Sequence, residues 1–163
     1  MDVYASLEAP CDADVLFGLV DDLARYPYWI DLVHRADPVA DATWDVVSDN
    51  PAWLVELRAR VGPLARSKRL RMKRSEHDLV ARHVVFTRSE ADSRRHSAWV
   101  LTADVTSAPG ASSPGAASPG ASALNMHLHY GGGLWTGGIL ERALADQITN
   151  GRARLVALAS ATH

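Results

Sequence analysis

Apolar and polar positions change their period three times along the chain. Residues 3 to 9 alternate, with Val3, Ala5 and Leu7 against Tyr4, Ser6 and Glu8, which is the spacing of a strand with one buried face. After Pro10 the apolar residues Val15, Leu16, Leu19, Val20 and Leu23 recur at helical spacing, with Asp12 placed as an N-cap and Asp14 in the first turn. Asp21 to Ile30 extends this as a second helical piece limited by Pro27, so two short helices follow the first strand.

From residue 31 the period returns to two. Six further strands are predicted: Leu32 to Val39, Trp53 to Val61, Ala65 to Arg74, Leu79 to Arg88, His96 to Thr106 and Ala123 to Tyr130. Most have one apolar face. Trp53, Val55 and Leu57 oppose Leu54, Glu56 and Arg58, while Leu70 and Met72 oppose Arg69, Arg71 and Lys73. The chain then returns to a helical period, in which Ile139, Leu140, Leu144, Ile148, Gly151, Leu155 and Leu158 mark one stripe of a long helix ending near Ala159.

This order predicts an α+β layout, an antiparallel sheet of seven strands wrapped around one long C-terminal helix, with two short helices after the first strand. A single helix about 10 Å wide does not fill the concave face of so broad a sheet, so an internal cavity is expected. Alternation points Trp53, Leu57, Leu70, Met72, Phe86, Trp99, Leu101, Met126, Leu128 and Tyr130 inward, with Trp29 and Trp135 near the ends. These twelve residues are the expected ligand-binding set, since small-molecule sites are concave and mostly apolar.

Length and composition narrow the picture. At 163 residues the chain reads as one domain spanning 1–163. Within it, Ser107 to Ser122 repeats Pro-Gly-Ala at five-residue spacing without a large apolar side chain and reads as a flexible hairpin insertion. The formal charge of −2 gives no overall cationic surface, which argues against nucleic-acid binding. The one dense basic run is Arg58, Arg60, Arg66, Lys68, Arg69, Arg71, Lys73 and Arg74. It reads first as a solvated sheet face and second as a docking surface for an acidic partner such as a carrier protein or an anionic membrane. Acidic residues near the N-terminus do not fit a secretory signal, no window is apolar enough to span a membrane, and the lone Cys11 fits a reducing compartment. The expected location is cytoplasmic.

Several stretches resemble the START-related, polyketide cyclase/dehydrase and lipid-transport superfamily with its helix-grip fold. They are Ala9-Pro10 with the helical segment that follows, reaching Tyr26-Pro27-Tyr28-Trp29, the strand pair around Val61-Gly62-Pro63 and Arg66 to Met72, and Leu128-His129-Tyr130-Gly131-Gly132. The likeness covers nearly the whole chain apart from residues 40–52 and 107–122. It implies a hydrophobic guest in the cavity, such as a lipid, sterol, polyketide or hormone, and in some similar proteins cyclisation of a polyketide.

Candidate chemistry is sparse. His127 and His129 share the polar face, where a solvated pair rather than a metal site is expected. Tyr130, His34, Glu56 and Arg58 are the polar side chains that the pattern admits to the cavity, with Tyr130 best placed to donate to a ligand carbonyl. No nucleophile with its base is legible, no cofactor is implied, and Gly133 to Gly138 matches no nucleotide-binding pattern. That glycine loop reads as a hinged lid carrying Trp135. The leading expectation is therefore binding or transport of a hydrophobic small molecule. Polyketide cyclisation and an interaction module using the basic face are the alternatives.

Overall fold

The computed structural model describes residues 1–39, 50–61, 64–92, 94–107, 120–132 and 139–161. Seven strands form one antiparallel sheet: β1 (Asp2–Ala9), β2 (Val33–Val39), β3 (Ala52–Val61), β4 (Leu64–Asp78), β5 (His83–Arg88), β6 (Trp99–Ser107) and β7 (Ser122–Tyr130). Their order is β1-β7-β6-β5-β4-β3-β2, so the first two strands of the chain hold opposite edges. Helix α1 (Ala13–Val20) and a 3-10 helix (Leu23–Tyr28) carry the chain between those edges, and α2 (Ile139–Ala161) closes the fold.

The expected layout of seven strands, two short helices and a terminal helix is the observed one, with local departures. The second short helix is 3-10, because Asp22 caps the Ala24 N–H at 2.9 Å and Pro27 sits inside the turn. Asp12 takes the N-cap position of α1 in an extended conformation but makes no side-chain cap bond. Leu79 to Arg82 is a turn rather than the start of a strand. Asp78 Oδ1 accepts from the Val80 and Ala81 N–H groups at 2.9 and 2.8 Å, and Arg82 adopts φ 51°. β4 accordingly runs on to Asp78, with a register shift between Arg74 and Glu76 where the Ser75 hydroxyl donates to the Val85 carbonyl. Residues 108–119, most of the expected insertion, lie outside the described residues.

The core lies between the sheet and the helices. Val3 and Leu7 of β1, Leu16 and Val20 of α1, and Leu124, Met126 and Leu128 of β7 are buried, as the alternation requires. On α2 the buried residues Ile148, Gly151, Leu155 and Ala159 make one stripe. Two arginines flanking that stripe tie the helix down: Arg152 Nε donates to the Glu8 carbonyl at 2.8 Å, and Arg154 pairs with Asp31. Tyr26 donates its hydroxyl to the Val20 carbonyl at 2.9 Å, which fixes the 3-10 helix against α1. Tyr26, Trp29, Phe86 and Trp53 then pack ring against ring, the Trp53–Phe86 centroids being 5.6 Å apart and nearly perpendicular.

Candidate functional site

Between the middle of the sheet and the helices a space remains. It holds about 70 Å³ and is lined by sixteen residues drawn from β1, the 3-10 helix and the loop after it, β2, β3, β4, β6, β7 and α2. The strands supply Leu57, Leu70, Met72, Trp99, Leu101, Met126 and Leu128, all seven of them in the set expected from alternation. The remaining lining comes from Val3, Ala5, Leu23, Tyr26, Ile30, Leu32, Val33, Val55 and Ile148. Strand period alone indicated Val3, Ala5 and Val55. The 3-10 residues Leu23 and Tyr26, and Ile30 and Leu32 after them, carry no such signal, since their inward direction depends on where the helical turn docks.

Four expected lining residues sit elsewhere. Trp29 is fully buried against Gly151 of α2, and Trp53 and Phe86 fill the core against each other, so β5 contributes nothing to the space. Tyr130 is buried beside Trp99, with ring centroids 4.8 Å apart, rather than on the wall itself. Trp135 and the glycine loop of 133–138 lie outside the described residues.

The polar groups divide by strand parity. Glu56 faces the outer side, where Arg58 and Arg69 reach it at 2.9 and 3.2 Å and hold its carboxyl below the usual carboxylate range. His34 and Arg58 are exposed, so of the four polar candidates only Tyr130 is inside. The basic run is likewise divided. Glu56 stands within it, Arg71 donates to the Ser89 carbonyl, and Arg74 donates to the Asp21 carbonyl. His127 and His129 lie on the outer face and both bond Asp2 Oδ1, at 2.9 and 2.8 Å, while His127 stacks on Tyr4. Among the described residues no three His, Cys, Asp or Glu side chains are grouped to hold a metal ion.

Lys68 departs most from the expected picture. It shares the inward parity of Leu70 and Met72, and its ammonium lies 5.1 Å from the Trp99 ring centroid and 5.2 Å from that of Tyr130. Burial, then the like charge of Arg88, pushes its pKa down, while Glu90 opposes them. Arg88 is itself largely buried and bonds Glu90 at 2.7 Å, with further contacts to His96 and the Ser97 carbonyl. Trp99 Nε1, Trp29 Nε1 and the Tyr130 hydroxyl are buried without a hydrogen-bond partner among the described residues. The position of Lys68 was legible in the alternation, but the neighbouring arginines masked it as part of a charged face.

Solved structures share this fold. A protein from Thermus thermophilus superposes with a TM-score of 0.69 at 13% identity, covering 99% of both chains. A START superfamily protein from Mycobacterium smegmatis gives 0.63 at 12% identity, again over 99% of both chains. The chain has the START-like helix-grip fold. The same fold occurs in the di-domain ARO/CYC protein StfQ of the steffimycin biosynthetic pathway, with a TM-score of 0.59 at 12% identity over 94% of this chain and 45% of that one. This helix-grip chain therefore spans just under half of the di-domain protein. No protein-family model and no curated protein matches the sequence. No helix among the described residues is long and apolar enough to cross a membrane.

Proposed function

We propose that this helix-grip chain binds or carries a hydrophobic small molecule, of lipid or polyketide kind, in the space beneath its sheet. One observation carries the reading: sixteen side chains from eight segments converge on one volume, and none of them is charged. Tyr26 supplies a hydroxyl to that lining, but its proton is committed to the Val20 carbonyl and burial pushes its pKa far above the ordinary value. The free volume, 70 Å³, is below the range of about 300–1,000 Å³ usual for drug-sized guests. A guest of that size enters by displacing Met72 and Met126, the unbranched and adaptable side chains of the wall. The free, buried Cys11 fits the cytoplasmic setting that belongs to the same reading.

Native mass spectrometry against a panel of fatty acids, sterols and aromatic polyketides tests this. The expected outcome is one-to-one binding, weakened by Ala5→Leu, which fills the space. Absence of any complex at high micromolar ligand overturns the reading. A second reading, cyclisation of a bound poly-β-ketone, draws on the donors at the Trp99–Tyr130 end, which are suited to a developing enolate. Identical product profiles from a polyketide synthase with and without the protein remove it.

A further inference from the structure

Three groups gathered around Trp99, the lining residue at one end of the cavity, lack among the described residues the partners that folded proteins normally supply. Tyr130 is 1% exposed and Trp99 5%, yet neither the phenol oxygen nor the indole nitrogen is hydrogen-bonded among the described residues. Lys68 is half-buried above both rings, with no carboxylate of the described residues in salt-bridge reach. Its neighbour Arg88 is different, because Glu90 balances that charge at 2.7 Å. Among the described residues one positive charge and two donors are therefore left over around the Trp99–Tyr130 ring pair, next to an uncharged wall. An indole N–H only donates, an ammonium only donates, and a phenol donates readily, so the missing partner is an acceptor. A half-buried cation with no carboxylate beside it among the described residues further selects an acceptor that is negatively charged, since charge-assisted hydrogen bonds are the stronger ones.

We propose that Lys68, Trp99 and Tyr130 form the anchoring end of the cavity and that its ligand is an apolar molecule bearing a carboxylate. The proposal rests on the cavity reading above and adds the chemical class of guest. The carboxylate meets the Lys68 ammonium, with the Trp99 N–H and the Tyr130 hydroxyl as neutral donors, while the hydrocarbon part lies against Leu57, Leu70 and Met126. The two aromatic faces hold the ammonium in place when no guest is present.

Calorimetry with decanoic acid and methyl decanoate at pH 7 separates charge from chain, because the ester keeps the hydrocarbon and a neutral carbonyl. The native protein is expected to prefer the acid by about tenfold or more. Lys68→Met removes that preference and leaves ester binding within about twofold, Lys68→Arg restores part of it, and thermal melts confirm that both variants fold. Tyr130→Phe is expected to lower acid affinity more than ester affinity, since a carboxylate accepts from that donor more strongly than an ester carbonyl does. Equal affinity for acid and ester in the native protein, or an acid preference that survives Lys68→Met, overturns the anchor while leaving the cavity reading standing. Binding of neither probe, or of any other apolar guest in the panel above, overturns both.

Discussion

Gly151 of α2 faces the main-chain carbonyl of Trp29 so closely that a Cβ at position 151 would stand 2.2 Å from that oxygen. The obstacle is backbone, which has little freedom to move away. Gly151→Ala is therefore expected to destabilise the fold by about 1–3 kcal/mol through overpacking, despite the better helix propensity of alanine. Urea denaturation checks it. Asn150→Ala, at the exposed neighbouring position, serves as the control and is expected to be neutral or mildly stabilising.

Phe86 belongs to the packed core and not to the cavity wall. It is fully buried between Tyr26 and Trp53, and Phe86→Ala is expected to cost about 3–5 kcal/mol. Met72→Leu, on the wall of an existing space, should cost less than about 1.5 kcal/mol in the same measurement.

Tyr130→Phe is expected to leave the ligand-free protein as stable as before, or slightly more stable. The hydroxyl it removes is buried without a partner among the described residues, so no hydrogen bond is lost and a desolvated polar group disappears. A loss of more than about 1.5 kcal/mol on denaturation would show that the hydroxyl is bonded after all. Gly132→Ala should behave in the opposite way, since a Cβ there would stand 2.1 Å from that same oxygen and push the ring from its seat.

His83 makes stability depend on pH. Its hydrogen bond to Asp104 at 2.6 Å raises its pKa above the usual 6.5, with further help from the charges of Asp104 and Glu76. A raised folded-state value means that this contribution is complete below the unfolded value and is lost as pH rises through the folded one. Denaturation midpoints of the native protein and of His83→Gln should therefore differ most below pH 6.5 and converge at alkaline pH.

Asp2 works in the other direction. Hydrogen bonds from His129 and His127 lower its pKa, so its contribution is present above the unfolded value and fades as pH falls through the folded one. Asp2→Asn should lower the melting temperature at pH 6 and have little effect in strong acid, as a calorimetric scan would show.

The sheet was legible in the sequence because Val3, Leu70, Met126 and Leu128 sit on strands with one dry face, where a period of two has a single reading. The helical segments were harder. Leu23 and Tyr26 lie on a 3-10 turn whose inward side depends on the Tyr26 bond to Val20, a contact between elements that no local pattern encodes. Strand parity gave the direction of Trp53 and Phe86 but not their neighbours, so residues that fill the core were grouped with residues that line a void. Lys68 teaches the converse point: its parity was plain beside Leu70, yet charge made it look like surface.

The pairing of Asp2 with His129 at the β1–β7 seam also constrains the order of assembly. A ribosome adding about 5–20 residues per second releases the opening strand several seconds before residues 122–130 exist to receive it. Throughout that wait Val3 and Leu7 stay wet and one ladder of amides goes begging, so the nascent chain depends on late closure and on whatever shields it until then.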